Sequence, residues 1–259
     1  MLGVPNTCST IGTHMELGRL PIKLNIFKSM LKFWFRLVTL PKSRLVSYCY
    51  WALLKQPNIQ DDWINSIKHI GSSGFCHFWN DQEQIQHLNP KEVPKIISLI
   101  LKSFEDQFLQ NAHSEISAQN KLHLFKDIPQ TLKVATHLTA LNTRKKRSLF
   151  TKLRLGTLKL EIETGRWDKT NKNERFCKLC TMNRIENESH FLFDCPALTL
   201  TRNPLLHDIY TIHPELPHLP SEIKIRRLFF NEKLDQPTLD LASTLLLELT
   251  LARDKVLNN

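Results

Sequence analysis

Residues 177–195 read CKLCTMNRIENESHFLFDC and contain the pattern C-x2-C-x9-H-x4-C. Its four defining residues have side chains that bind metal ions, and they are Cys177, Cys180, His190 and Cys195. Two thiolates separated by two residues can bind one ion from a single tight turn, and the later His and Cys complete a tetrahedron around Zn²⁺. Four protein ligands leave no open position for water. The spacing therefore predicts one structural zinc ion in a CCHC zinc knuckle.

Chance proximity and redox chemistry are the other interpretations of these residues. A lone C-x2-C pair would be open to both, but an H-x4-C half-site rarely accompanies it by chance. No strand-turn-helix pattern precedes the first pair, as a thioredoxin-like motif requires. Nearby cations stabilise deprotonated sulfur and favour metal binding, and they are Arg175, Lys178 and Arg184.

The composition indicates a helical protein with a substantial core. The chain has 259 residues, of which 41% are hydrophobic and only 7 are Gly. Apolar residues recur at helical spacing over 24–38, 90–116 and 238–256. We predict a mainly α fold, in which a helical bundle-like region precedes the small CCHC knuckle and carboxy-terminal helices. The predicted segments are an irregular lead-in (1–15), a helical linker region (16–142), the basic helix with the knuckle (143–200) and a carboxy-terminal helical region (201–259).

The spacing of the cysteines and the charges within the apolar segments indicate the cellular compartment of the protein. Cys8, Cys49 and Cys76 lie outside the knuckle and far from one another in sequence, which suits a reducing compartment. The first 15 residues lack the apolar run of a secretory signal. The most apolar stretch, 24–40, contains three cations and is not expected to span a membrane. We expect a nuclear or cytoplasmic protein.

The positive charge is concentrated beside the knuckle. Between Arg144 and Arg184 there are thirteen Lys and Arg against four acidic residues, a net charge of +9. The other 22 basic and 21 acidic residues contribute only +1 of the total +10. A concentrated positive field beside a metal-ordered loop is what binding to a phosphate backbone requires. The charge pattern therefore predicts RNA or DNA as a partner, single-stranded or structured.

A basic helix is predicted to begin after Thr143, a suitable N-cap, and to end near Gly156. Leu149, Phe150 and Leu153 form its apolar seam, which leaves the cations on the other side. The RKKR run at 144–147 could equally serve as a nuclear-import patch. The predicted nucleic-acid-binding residues are Arg144, Lys145, Lys146, Arg147, Lys152, Arg154, Arg166, Trp167 and Arg175.

Aromatic and acidic side chains lie among these cations. If exposed, Trp167, Phe176, Phe191 and Phe193 could stack on bases, but such aromatics more often fill the small core under a zinc loop. Trp167 is the best candidate for exposure. Alternating apolar and polar residues over 158–163 predict an extended segment. We interpret its two carboxylates, Glu161 and Glu163, as salt partners of the basic surface and assign no catalytic residue.

The last predicted helix, 238–256, is apolar on most sides. Such a helix must be buried, either against the rest of the chain or against a partner. The sequence therefore leaves open a second function, in which the chain is a zinc-scaffolded protein-interaction module that docks through this helix.

Two sets of short motifs resemble the carboxy-terminal part of non-LTR (LINE-type) retrotransposon polyproteins, the segment after the reverse transcriptase. ELGRLPI at 16–22 and KFWFRL at 32–37 resemble the linker of that family. KLRLG at 152–156, IETGRW at 162–167 and the knuckle with its HFLF and DCP motifs resemble the zinc-knuckle region. The region between about 60 and 140 matches only in position and helical character.

The resemblance implies a knuckle that helps the polyprotein engage its nucleic-acid template during target-primed reverse transcription. The family's four ligands correspond to Cys177, Cys180, His190 and Cys195. The chain has no Tyr-x-Asp-Asp motif, no palm pattern and no endonuclease segment. Polymerase chemistry needs paired carboxylates that hold divalent metal ions. We therefore expect a protein related to reverse transcriptase that is not itself an enzyme.

Overall fold

The computed structural model describes residues 2–55, 62–72, 76–128 and 131–258. The described structure is 68% helical and contains almost no strand, which confirms the mainly α prediction. The α-helices in chain order are α1 Thr10–Leu17, α2 Ile22–Thr39, α3 Leu45–Leu54, α4 Asp62–Ser72, α5 Cys76–Asn80, α6 Glu83–Gln86, α7 Val93–Ala118, α8 Thr136–Ala140, α9 Arg144–Arg154, α10 Glu161–Thr164, α11 Thr199–Ile212, α12 Ser221–Phe229 and α13 Gln236–Leu257.

The chain divides into two compact units. One contains residues 20–111, and the other contains residues 1–19 together with 112–259. These units cut across the predicted helical region 16–142 and place the predicted segments 143–200 and 201–259 in the same unit.

The unit of residues 20–111 is built on α2. Its buried side chains recur at three- and four-residue spacing, as the sequence predicted, and include Phe27, Leu31, Trp34 and Val38. The indole of Trp34 donates a hydrogen bond of 2.8 Å to the hydroxyl of Tyr50. Apolar side chains of α2, α4 and α7 pack together in one core, and this core includes both Trp34 and Tyr50.

The unit that contains the knuckle is built on α13. This helix packs against α9, α11 and α12. Its central side chains Leu239, Leu245, Leu246 and Leu249 are fully or almost fully buried. The sequence left open whether this helix is buried against the rest of the chain or against a partner. The centre of α13 is buried against the rest of the chain.

Two local predictions were wrong. The lead-in 1–15 was expected to be irregular, but α1 begins within it because the hydroxyl of Ser9 accepts a hydrogen bond from the Gly12 N–H and caps the helix. The predicted extended segment 158–163 instead enters the short helix α10. The apolar residues of the alternating pattern, Leu158 and Leu160, are buried in a compact turn and do not form a strand.

The basic helix has the predicted ends. The hydroxyl of Thr143 accepts a hydrogen bond from the Lys146 N–H at the start of α9. Gly156 follows the end of the helix with a φ of 59°, in the left-handed region that glycine adopts without strain. A Cβ at this position would lie 2.3 Å from the backbone oxygen of Lys121, so the close approach also requires glycine.

Candidate metal centre and basic surface

A short hairpin carries the first two cysteines. The Cys177 N–H donates to the Arg184 oxygen at 2.8 Å, and the Glu186 N–H donates to the Arg175 oxygen at 3.0 Å. Between them the chain turns back through Asn183, whose φ of 50° lies in a region that asparagine tolerates better than most residues. The turn brings Cys177 and Cys180 to the same ligand cluster.

A π-helical turn over His190–Asp194 begins at the third ligand, His190, and is followed directly by the fourth, Cys195. The side chain of Asn187 caps its start by accepting a hydrogen bond of 2.9 Å from the His190 N–H. The Cys195 N–H donates to the His190 oxygen at 2.7 Å and closes the turn. From α11, the guanidinium of Arg202 donates to the Cys195 oxygen at 2.7 Å. Backbone and side-chain bonds thus fix both ligands.

The structure brings together the four residues predicted from the spacing. Their ligand atoms all lie within 4.8 Å of one another. The sulfurs of Cys177 and Cys195 are 3.9 Å apart, and the Cys180 sulfur is 3.4 Å from Nε2 of His190. A tetrahedral ion with metal–sulfur bonds of about 2.3 Å and metal–nitrogen bonds of about 2.0 Å would separate such pairs by about 3.8 and 3.5 Å. The cluster has the dimensions to hold a metal ion.

Burial controls the protonation of the cluster. It raises the pKa of the Cys177 thiol to about 12 and also raises the pKa of Cys195. It lowers the pKa of His190, which keeps the imidazole neutral and able to coordinate. A bound divalent cation would offset the cost of burying thiolates, because its charge compensates theirs. With four ligands and no open position, such an ion would order the chain and would activate no water.

The other ring nitrogen of His190 departs from the usual arrangement. Metal-bound histidines generally donate this N–H to a carbonyl or carboxylate. Nδ1 of His190 is buried and has no hydrogen-bond partner among the described residues.

Five basic side chains line a cavity of about 550 Å³ in the same unit as the knuckle. Three were predicted nucleic-acid-binding residues, Arg144, Lys145 and Lys152, and the other two are Lys159 and Arg253. Leucine side chains also line it, at positions 149, 158, 160 and 251. Lys159 belongs to the basic segment but was not among the predicted binding residues. The turn after Gly156 places it across the cavity from α9, and the sequence pattern does not predict that position.

Other predicted binding residues have intramolecular partners. Lys146 donates to the Thr244 hydroxyl, and Arg147 donates to the Leu141 carbonyl. The guanidinium of Arg175 donates to the carbonyls of Thr170 and Ile162 and stabilises the turn before the hairpin.

Arg154 lies in the interior of the unit, contrary to the sequence-based prediction. Its side chain is only 3% exposed. The guanidinium pairs with Glu16 at 2.7 Å and with Glu232 at 2.5 Å, and donates to the Phe229 carbonyl at 2.9 Å. It is therefore unavailable to a phosphate.

Arg166 and Trp167 remain on the surface. Trp167 is 57% exposed, in agreement with its selection as the best candidate for stacking. Arg166 forms an ion pair of 3.3 Å with Glu163, and Lys178 forms one of 2.9 Å with Glu161. These pairs confirm the interpretation of both carboxylates as salt partners of the basic surface.

Arg166 and Arg175 line a second cavity, of about 770 Å³, whose lining also includes Gly156 and Asn187. Lys121 and Lys172 also line it. Lys121 precedes the basic segment by more than twenty residues, so nothing in the local sequence pattern linked it to this surface.

Comparison of the chain with family models, curated proteins and solved structures found no match. The resemblance to the retrotransposon segment therefore rests on the short motifs alone. The described helices include none with both the length and the apolar character of a membrane span.

Proposed function

We propose that this protein is a zinc-stabilised nucleic-acid-binding module that binds single-stranded or structured RNA or DNA. The observation that carries this proposal is the convergence of Arg144, Lys145, Lys152 and Lys159 on one cavity with an apolar floor. Cations positioned in this way can neutralise neighbouring phosphates, and leucine side chains can contact a sugar or base.

Little negative charge opposes these cations. Asp254 is the acidic residue in the cavity lining. Arg253 also lines the cavity, but its charge is compensated by the buried carboxylate of Glu186. The lining therefore keeps a clear positive excess, which attracts a polyanion.

Zinc is the proposed metal. Three sulfurs and one imidazole form a soft ligand set that suits Zn²⁺ in tetrahedral geometry and suits Mg²⁺ or Ca²⁺ poorly. The two ligand separations of 3.9 and 3.4 Å lie close to those expected for zinc. The ion would hold the hairpin and the π-helical turn together within the unit that presents the basic cavity.

We further propose that the chain derives from the post-polymerase segment of a non-LTR retrotransposon protein and acts without catalysis. The motifs that support this origin span the linker and the knuckle. Within the described part of the chain, the Cys and His cluster is the one group of three or more ligands placed to hold a metal ion. Polymerase chemistry would instead need a cluster of carboxylates.

The second candidate, protein docking through the last helix, has less support. The central apolar side chains of α13 are already packed against α9, α11 and α12. Only its carboxy-terminal end exposes large apolar residues, namely Leu251, Val256 and Leu257.

Salt-dependent binding of labelled single-stranded oligonucleotides tests the proposed function. The logarithm of the association constant should fall with the logarithm of the salt concentration. Replacing Arg144, Lys145, Lys152 and Lys159 together by Gln should make this fall shallower by about 3 in slope, at about 0.7 per phosphate contact. The matched control replaces four exposed lysines of the other unit by Gln, at positions 55, 68, 91 and 95, and should leave the slope unchanged. Equal slopes for the wild type and the cavity variant would refute the proposal.

A further inference from the structure

A groove in the unit of residues 20–111 has a basic wall that the proposed nucleic-acid-binding function does not use. It lies between α2 and α7, which pack together through the rings of Phe27 and Phe104 with centroids 5.5 Å apart. Its volume is about 750 Å³, within the range of specific binding sites.

The two walls of the groove differ in charge. On the α2 wall, Lys28, Lys32 and Arg36 are exposed and have no ion-pair partner among the described residues. They follow one another at four-residue spacing, so they form a row about 12 Å long at 1.5 Å of rise per residue. On the α7 wall, Lys102 is paired with Asp106 at 3.1 Å and with Glu105 at 3.6 Å. The uncompensated positive charge is therefore confined to one wall.

The floor of the groove is mainly aliphatic, and the one aromatic residue in its lining, Phe35, is only 2% exposed and presents no open ring face. The floor includes Leu24 from α2 and Val93, Ile97 and Leu101 from α7. These side chains suit the apolar stripe of a helix, and they do not offer the aromatic platforms on which unpaired bases stack. A bilayer surface would not follow a concave groove between two helices, since interfacial binding uses a protruding apolar face.

We propose that this groove binds an amphipathic helix of a protein partner that carries acidic residues along one flank. Carboxylates at four-residue spacing on that flank would match the repeat of Lys28, Lys32 and Arg36. Large apolar side chains at i, i+3 and i+4 would contact the floor. Because the cations lie only on the α2 wall, charge also selects the orientation in which the acidic flank faces α2.

Fluorescence anisotropy of the full chain with two labelled helical peptides tests this site. One peptide has a leucine stripe flanked on one side by glutamates, and the other has lysines in place of the glutamates. We expect the acidic peptide to bind more tightly. Reversing the row with Lys28→Glu, Lys32→Glu and Arg36→Glu should weaken its binding by about tenfold or more, because all three cations face the same flank.

Two further variants define the location. Ser98 is exposed on the α7 wall, so Ser98→Trp should obstruct the groove and weaken the acidic peptide without disturbing the core. A charge-matched control reverses Lys55, Lys68 and Lys95, which are exposed outside the groove lining, and should retain binding. Circular dichroism should show the same helical content in every variant.

Three results would overturn the proposal: equal binding of the two peptides, equal loss in the groove and control reversals, or full binding by Ser98→Trp. If the groove reversal weakened a labelled oligonucleotide and spared the acidic peptide, the row would be a phosphate-contact surface. This test does not depend on the cavity beside α9, so it separates the failure of this proposal from failure of the proposed nucleic-acid-binding function.

Discussion

The guanidinium of Arg253 on α13 donates one hydrogen bond to each carboxylate oxygen of Glu186, and both bonds are 2.8 Å long. Glu186 is fully buried at the end of the hairpin that carries the first two cysteine ligands, and Arg253 is 6% exposed. The backbone N–H of Glu161 donates a further bond to the same carboxylate. One buried ion pair therefore joins the hairpin, the start of α10 and the last helix.

Removing the cation of this pair should destabilise the protein strongly. Arg253→Met leaves the Glu186 carboxylate buried without its counter-charge, which typically costs about 3–5 kcal/mol. Urea denaturation should show this loss, and adding Glu186→Gln should recover part of it, because Gln is neutral and can still accept the Glu161 N–H. The exposed pair of Arg227 and Glu215 provides the control: Arg227→Met should cost less than about 1 kcal/mol. Equal costs for the two arginines would contradict this account.

Metal removal should unfold the knuckle locally. Structural zinc contributes on the order of 10 kcal/mol to the folding of small modules, so chelation or Cys180→Ser should disorder residues near 170–200. Hydrogen exchange should accelerate at the Cys177 and Glu186 amides, whose bonds close the hairpin, and should not change in α2. Cys49→Ser, at an exposed cysteine outside the cluster, should retain one equivalent of zinc by elemental analysis. Purified protein without bound zinc, or exchange that is insensitive to chelator, would argue against a structural ion.

The sequence predicted the features that depend on local spacing. The ligand set, the cap at Thr143, the end of α9 near Gly156 and the buried face of α2 all follow from residues close together in the chain. Local spacing could not show that Arg154 is buried while its basic neighbours are exposed or partly exposed. Its partner Glu16 lies 138 residues earlier in the chain, and Glu232 lies 78 residues later. The same limit applies to the basic cavity, whose wall from α13 is remote in sequence from α9.

Arg154 should therefore behave as a core residue. Arg154→Gln leaves two carboxylates without their shared cation, and we expect a loss of about 3–5 kcal/mol in the free energy of unfolding. Under conditions in which the variant remains folded, the salt dependence of oligonucleotide binding should match that of the wild type. A lower salt slope with normal stability would instead assign Arg154 to the phosphate-binding surface.

Trp167 should contribute to nucleic-acid binding without contributing to stability. Its ring is more than half exposed next to Arg166, so Trp167→Ala should leave the free energy of unfolding within about 0.5 kcal/mol of the wild type. If the indole stacks on a base, the affinity for a single-stranded oligonucleotide should fall by about 1–3 kcal/mol. Trp167→Phe should keep part of that affinity, because it retains an aromatic face. An unchanged affinity in Trp167→Ala would remove this residue from the binding surface.

The buried histidine at position 137 should make stability depend on pH. Its side chain is almost inaccessible, its Nε2 lies 2.9 Å from the Thr151 hydroxyl, and its ring stacks on Phe150 at 4.9 Å. Burial, together with the nearby charge of Arg154, lowers the pKa of His137 well below its usual range. The folded protein thus keeps this imidazole neutral at pH values where the unfolded chain protonates it.

The stability contributed by this neutral imidazole is fully present above about pH 6.5 and is lost as the pH falls, because the unfolded state then binds one more proton than the folded state. Between pH 7.5 and 5, one such histidine accounts for a loss of about 2 kcal/mol in the free energy of unfolding. His137→Gln should be less stable at pH 7.5, but its disadvantage should shrink by about that amount at pH 5. Urea denaturation of both proteins at each pH measures the difference, in which the contributions of His190 and of the metal site cancel because both proteins contain them. A constant difference across this range would show that His137 is protonated equally in the folded and unfolded states.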